Sequence, residues 1–385
     1  MKKITLCLTL VFLYISGYSQ SLVLNTNDLT PLSEELGSID PSKDGELTIA
    51  SLNIRDMRGT TRTLENFQYL ADLLDEADII VLQEVGAKGY SSESKVNSLN
   101  KRIEAFSLLF TSFLGSNWNY VRAPIATPEY LGMGAEIPLV FYKESTGQIS
   151  IDCYWKEYVD LGEKRDMGVF TLYLSNGEER KAIDLGTIHT KPTCPERGRQ
   201  LLKVSEYISI IEKPTIICGD FNWGYKSESS CEIRFEGEES LLELEQEGLI
   251  SLPFSDISYL GSGDEDDFRT NLMIRKSVQF YDQFILSKYF IDKYADNCSL
   301  SEDCGFISIS QSDEFKSIVD DEIRTRLKGA RIALKLVEDD CSIDREEQLE
   351  KVEKEIEKDW RVHDAASYIL SDHKPIWVQI KPFSE

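Results

Sequence analysis

Short runs of hydrophobic and β-branched residues alternate with longer amphipathic segments along most of this chain. Runs at 47–55, 78–85 and 215–218 have the composition of buried strands. Between the first two runs, 63–77 has helical spacing, with one apolar stripe made of Leu64, Phe67, Leu70, Ala71 and Leu74. A strand, a helix and a strand in this order predict two parallel strands joined by a right-handed crossover.

The same two patterns continue beyond residue 90. They predict helices over 92–113 and 195–211, an acidic loop and surface helix over 227–247, and strands over 118–121, 137–142, 149–158, 168–174, 181–189, 278–287 and 371–378. The stretch 298–366 is charge-rich, with helical patterns at 314–337 and 344–362. We interpret it as a helical insertion on the surface.

The first 45 residues predict export. Lys2 and Lys3 precede an apolar run over 4–15, and Gly17 and Ser19 have the spacing that a signal peptidase reads. A membrane anchor is the alternative, but the run is short for a span. We expect a signal peptide at 1–19, a loose leader at 20–45, and a protein that is secreted or periplasmic, without stable membrane insertion.

Composition limits the fold and the function that the residues after the signal peptide can have. The chain has 385 residues, 41% of them hydrophobic, which suffices for one large α/β domain or for two domains. Its net charge of −25 argues against a nucleic-acid-binding module that works without a cation. Of the cysteines left after export, Cys218 is expected to be a free thiol in the core, and Cys298 and Cys304 are the favoured disulfide pair by proximity.

Polar residues with catalytic chemistry recur at the ends or entries of the predicted strands: Asn53, Glu84, Glu136, His189, Asp220, Asn222, Asp372 and His373, with Asp282 expected in mid-strand. Taken singly, each is explained as a turn or surface residue. Together they predict strands that converge on one edge. Asp220 and Asn222, two apart, would point the same way on an extended backbone, and the alternative is a strand that ends in an Asx-rich turn. Carboxylates, amides and histidines suit metal-assisted attack of water on a phosphate ester.

Five motifs in order resemble the endonuclease/exonuclease/phosphatase superfamily, and most closely its DNase I branch. They are Leu52-Asn53-Ile54-Arg55, Leu82-Gln83-Glu84-Val85, Gly219-Asp220-Phe221-Asn222, Tyr281-Asp282 and Ser371-Asp372-His373-Lys374-Pro375. The resemblance covers about 47–380. It implies a single domain, 46–385, with the fold of a four-layer α/β sandwich in which two mostly antiparallel sheets are flanked by helices.

The resemblance also implies a role for each candidate residue. Mg²⁺, or else Mn²⁺ or Ca²⁺, would be bound by Glu84 with Asn53 and Asp372. Asp220 and Asn222 would activate water and hold the phosphate. Two histidine–carboxylate pairs, His373 with Asp282 and His189 with Glu136, would complete the catalytic set. Arg55, and by position Arg165, would contact substrate phosphates.

The resemblance leaves three functions open. The first is a monomeric endonuclease that cleaves DNA or RNA. The second is a phosphatase or phospholipase C-like phosphodiesterase that acts on inositol phosphates or sphingomyelin-type lipids. The third is a non-catalytic binding protein on the same scaffold, which would be expected to lack one or more of the polar residues.

Overall fold

The computed structural model of the chain describes residues 46–54, 64–85, 93–124, 137–162, 165–193, 195–223, 232–253, 282–294, 304–306 and 375–383. All of them belong to a unit that spans Glu35–Glu385. The predicted signal peptide and leader lie outside the described residues, and so do the helical patterns at 314–337 and 344–362. Among the described helices, none is long and apolar enough to cross a membrane.

The first sheet, sheet A, is built from strands near both ends of the domain. It contains β1 (Leu47–Asn53), β2 (Ile79–Gln83), β3 (Trp118–Arg122), β4 (Leu139–Lys143), β12 (Cys304–Phe306) and β13 (Ile376–Ile380), in the order β12-β13-β1-β2-β4-β3. Strands β1 and β2 are parallel and the other described pairs are antiparallel. Helix α1 (Leu64–Leu74) joins the parallel pair, as the sequence predicts.

The second sheet, sheet B, repeats this plan. It contains β5 (Ser145–Thr146), β6 (Ile149–Asp160), β7 (Asp166–Ser175), β8 (Arg180–His189), β9 (Thr215–Asp220), β10 (Ile250–Ser251) and β11 (Asp282–Ser287), in the order β10-β11-β9-β8-β7-β6-β5. Strands β8 and β9 are parallel and are joined by α3 (Glu196–Ile210), whereas the other described pairs are antiparallel.

Helices cover the outer faces of both sheets. On sheet A, Phe106 and Phe110 of α2 (Glu93–Leu114) pack around Phe141 of β4. On sheet B, α3 packs against α4 (Glu232–Gln246), and a short helix, α5 (Lys288–Tyr294), follows β11. The predicted sandwich of two mostly antiparallel sheets between helices is confirmed.

The continuous apolar run of β9 follows from burial on both faces. Ile216 and Cys218 belong to the core that the two sheets share, whereas Ile217 belongs to the core beneath α3. A strand covered on both sides has no solvent face to fill with polar residues. Cys218 is a free, fully buried thiol, as predicted, and Cys153 is a second one. Cys298 lies outside the described residues.

One predicted boundary changes. Residues Cys304–Phe306 form an edge strand against β13, so the stretch predicted as a helical insertion over 298–366 contains part of sheet A. Helical spacing in the long charged segments that follow concealed this short strand. Asp282 is the first described residue of β11, and because the residues directly before it lie outside the described part of the chain, its predicted mid-strand position stays a prediction.

Candidate active site

Four of the predicted strand-end residues, Asn53, Glu84, His189 and Asp220, meet where both parallel pairs end. Strands β1 and β2 finish at the register partners Asn53 and Gln83, and strands β8 and β9 finish at the partners His189 and Asp220. Strands β1 and β2 face β8 and β9 across the interior of the sandwich. Carboxyl ends of parallel strands are common ligand sites in α/β proteins. Four strand ends from two sheets therefore form one polar site.

The Asn53 side chain connects the two sheets. Its Nδ2 donates to Glu84 Oε1 at 3.2 Å and to Asp220 Oδ2 at 3.0 Å. Asn53 and Asp220 are almost completely buried. Two carboxylates that share one amide nitrogen are close enough to repel each other, so a nearby cation stabilises the pair.

His189 lies between the same two carboxylates. Its Nδ1 is 3.5 Å from Glu84 Oε1 and its Nε2 is 3.3 Å from Asp220 Oδ2. The side chains of His189, Glu84 and Asp220 are 9%, 17% and 3% exposed, so Glu84 is the member most open to solvent. A protonated imidazole here would provide one of the positive charges that the carboxylates require.

Backbone strain is concentrated at this site. Glu84 and Asn222, with φ of 57° and 47°, are the non-glycine residues of the described chain that have positive φ. This region of φ costs a non-glycine residue about 1–2 kcal/mol. Since Glu84 leaves the extended conformation directly after β2, its side chain can reach the same inter-sheet space as that of its neighbour Gln83. Strain of this kind clusters at functional sites.

The turn after β9 follows one of the two alternatives that the sequence left open. The Asn222 N–H donates to Asp220 Oδ1 at 2.8 Å, and Asn222 Nδ2 donates to the Thr190 carbonyl at 3.0 Å. The backbone is therefore an Asx-type turn, which confirms the alternative of a strand that ends in such a turn, and the extended geometry for Asp220 and Asn222 is wrong. The local hydrogen bond to Asp220 competes successfully with continuation of the strand.

Asp282 adds a further carboxylate. It is the cross-strand partner of Asp220 in the antiparallel pair β9–β11, and it is 1% exposed. Side chains of such partners lie on one face, with Cβ atoms about 5 Å apart. His373, the partner predicted for Asp282, lies outside the described residues, so that pairing stays a prediction.

Arg165 contacts the site through hydrogen bonds to backbone carbonyls. Its guanidinium Nη1 donates to the carbonyls of His189, at 2.9 Å, and Thr190, at 3.0 Å. The described contacts of Nη1 thus fix the segment that carries His189. A phosphate contact of Arg165, predicted from its position before a strand, stays a prediction.

A second polar layer, which the sequence reasoning missed, lies beneath the site. Gln83 Nε2 donates to Ser51 Oγ at 3.1 Å and across the sandwich to Thr187 Oγ1 at 3.0 Å. Gln83 Oε1 is buried and has no hydrogen-bond partner among the residues described here. The available signal was a buried-strand pattern that ends in two polar residues, Gln83 and Glu84, of which only Glu84 was assigned a role.

The remaining predicted residues, namely Arg55, Glu136, Asp372 and His373, lie outside the described part of the chain. Within the described part, no group of three or more His, Cys, Asp or Glu side chains is arranged to hold a metal ion. The donor chemistry nevertheless fits a hard divalent cation, because Glu84 and Asp220 are crowded carboxylates beside an amide.

The chain is similar in structure to an endonuclease/exonuclease/phosphatase family protein. That protein, from Bacteroides thetaiotaomicron, is 12% identical over 87% of this chain and 97% of its own, with a TM-score of 0.41. TDP2 of D. rerio, humanized by 14 mutations, is 13% identical over 87% of this chain and 99% of its own, with a TM-score of 0.43. The human Nocturnin catalytic domain is 12% identical over 68% of this chain and 84% of its own, with a TM-score of 0.38.

No protein-family model matches the chain, and no curated protein matches it. Similarity to solved structures at this level concerns the fold and assigns no activity.

Proposed function

We propose that this protein is a secreted, metal-dependent phosphodiester hydrolase, and that its substrate is DNA or RNA. One observation carries the proposal: Asn53, Glu84, His189 and Asp220, from the ends of four strands in two sheets, are in mutual contact. Their residue types are those that hydrolysis of a phosphate ester by activated water requires. The motif resemblance supports the nuclease class within this chemistry.

Asp220 is the base in this proposal. Asn222 N and Asn53 Nδ2 each donate to one of its oxygens, and His189 Nε2 faces Oδ2. These contacts fix the carboxylate in one orientation. Asp220 takes a proton from the attacking water as the water oxygen bonds to phosphorus and the ester bond breaks.

In this proposal, His189 and the metal ion supply the positive charge that stabilises the phosphate. His189, held between Glu84 and Asp220, stabilises the additional charge on the phosphoryl oxygens when it is protonated. Glu84, with Asn53 and Asp372, would hold Mg²⁺, which when bound would neutralise the phosphate. The predicted pair His373 and Asp282 would supply the proton to the leaving oxygen.

The test is hydrolysis by the mature protein, with Mg²⁺ and with a chelator. The substrates are supercoiled plasmid, bis(p-nitrophenyl) phosphate and p-nitrophenyl phosphate. We expect Mg²⁺-dependent plasmid nicking and cleavage of the diester. Hydrolysis of the monoester alone would assign a phosphatase, and no hydrolysis of any substrate by folded protein would contradict the proposal.

Two variants make this test specific to the site. Asp220→Asn keeps the shape of the side chain and removes the base, so it should lower kcat about 10²-fold or more. Asp184→Asn is the matched control, because Asp184 is a buried carboxylate of the neighbouring strand that pairs with Lys156 at 2.7 Å, away from the site. It should keep kcat within about twofold.

Export is proposed from the sequence alone. The amino terminus of the protein recovered from the periplasm or medium should lie near Gln20. Recovery of the full-length chain in the membrane fraction would instead support an anchor.

A further inference from the structure

A partly buried ring of hydrogen bonds surrounds the backbone that leaves β8 after His189. Arg165 Nη1 holds the carbonyls of His189 and Thr190, at 2.9 and 3.0 Å. From the turn after the neighbouring strand β9, Asn222 Nδ2 donates to the Thr190 carbonyl at 3.0 Å. The segment that carries His189 is therefore fixed by side chains rather than by strand pairing alone.

Gln200 closes this ring from α3. Its Oε1 accepts from the Lys191 N–H at 2.8 Å, and its Nε2 donates to the Gly162 carbonyl at 3.3 Å. The same Gly162 carbonyl accepts from the Arg165 N–H at 3.2 Å. Gln200 is fully buried, and both ends of its amide are bonded. It thus links Gly162, whose carbonyl also accepts from the Arg165 N–H, to the segment that follows His189.

We propose that Gln200 is a positioning residue for His189, acting through Lys191 on one side and through Gly162 and Arg165 on the other. This inference rests on the proposed function for its kinetic consequence. His189 faces Glu84 and Asp220 at 3.5 and 3.3 Å, so a small displacement of its backbone changes both contacts. Misplacement of a reacting group by about 1 Å can cost about 10²-fold in rate.

The kinetic test uses Gln200→Met, which conserves volume while removing both hydrogen bonds. We expect kcat to fall about tenfold or more, with KM within about twofold, at a temperature well below Tm. The matched control is Ser205→Ala on the same helix, where Ser205 Oγ bonds Ser240 Oγ at 2.7 Å. The control should lower Tm and leave kcat unchanged. A kcat of Gln200→Met within twofold of wild type would overturn the inference.

A double variant tests whether the ring acts as one unit. Arg165→Met removes the other side of the same connection, and we expect the two effects on kcat to be less than additive. Full additivity would mean that Gln200 does not act through Arg165. If Gln200→Met does not fold, Gln200→Glu, which keeps an oxygen opposite the Lys191 N–H, takes its place.

Nuclear magnetic resonance gives a readout that needs no substrate. The chain has only 3 histidines, so the ring Cε1–H signal of His189 can be assigned by its loss in His189→Gln. We expect this signal to shift in Gln200→Met and to stay in place in Ser205→Ala. An unshifted signal overturns the positioning role whatever the activity. A shifted signal without hydrolysis of any substrate supports positioning and contradicts the proposed function alone.

Discussion

His189 and Asp220 are register partners at the ends of the parallel strands β8 and β9, and their side chains meet with Nε2 3.3 Å from Oδ2. The pair therefore belongs to the sheet rather than to a loop. Side chains held by regular strands keep their geometry better than side chains on loops do. Because both side chains are held by paired strands, the site is rigid. Substitutions around it should therefore change stability or activity in a predictable direction.

Asn53→Asp should destabilise the protein when metal is absent. The change replaces the amide that donates to Glu84 and Asp220 with a third carboxylate, in a position that is 1% exposed. We expect a loss of about 1–3 kcal/mol in the free energy of unfolding in chelator, and partial recovery with Mg²⁺. Urea unfolding in both conditions measures it.

Asn119→Asp is the matched control for this change. Asn119 Nδ2 also donates to a carboxylate, Glu144 Oε1 at 3.2 Å, but at the exposed surface. It should change the free energy of unfolding by less than about 0.5 kcal/mol and show no response to Mg²⁺. Equal losses in the two variants would show that the Asn53 site does not concentrate negative charge.

Two substitutions of Asn222 should separate the effect of backbone strain on stability from the effect of the side chain on activity. Its φ of 47° suits glycine, so Asn222→Gly should be more stable than Asn222→Ala by about 1 kcal/mol. Both variants lose the bond to the Thr190 carbonyl and should lose activity alike. Thermal unfolding and hydrolysis rates measure the two effects. Equal stability of the variants would contradict the strained geometry.

Gly219→Ala should prevent folding. Gly219 has φ of 138°, and a Cβ there would collide with the backbone carbonyl of Ile188 on the neighbouring strand. Because the obstacle is backbone of the paired strand, it cannot move aside without breaking the sheet. Soluble yield and circular dichroism report the outcome.

Gly177→Ala is the control for that substitution. Gly177 also has positive φ, 89°, but nothing lies within 4 Å of the added Cβ. It should remain folded and lose about 1 kcal/mol. A folded Gly219→Ala of similar stability would contradict the close approach of β8 and β9.

Cys218 should be unreactive in the native protein. Burial raises the pKa of its thiol to about 12, and burial also raises the pKa of the Cys153 thiol. Because the thiolate is the reactive form, neither cysteine should be alkylated by iodoacetamide at pH 8. Peptide mapping after labelling should find both modified only in urea. Labelling of Cys218 in folded protein would contradict its place in the core.

The part of the site that could be predicted from the sequence is the part that local hydrophobic pattern determines. The ends of apolar runs identified Asn53, Glu84, His189 and Asp220. The pattern left open whether the chain turns at Asn222, where a side chain–backbone bond decides the conformation. It also did not reveal Gln200, because a glutamine within an amphipathic helix has no local feature that marks it as a bridge between two distant loops.

The sequence by itself determined which segments are strands, which of them are buried on both faces, and where the apolar run of each strand ends and polar residues follow. These properties follow from the hydrophobic period and from the bonds open to each residue type. Only the tertiary structure decided that the site residue Asn53 meets Asp220, 167 positions away, and that Gln83 meets Thr187, 104 positions away. Such pairings depend on strand register and on how the two sheets face each other. The hydrophobic period of the sequence determines neither of these.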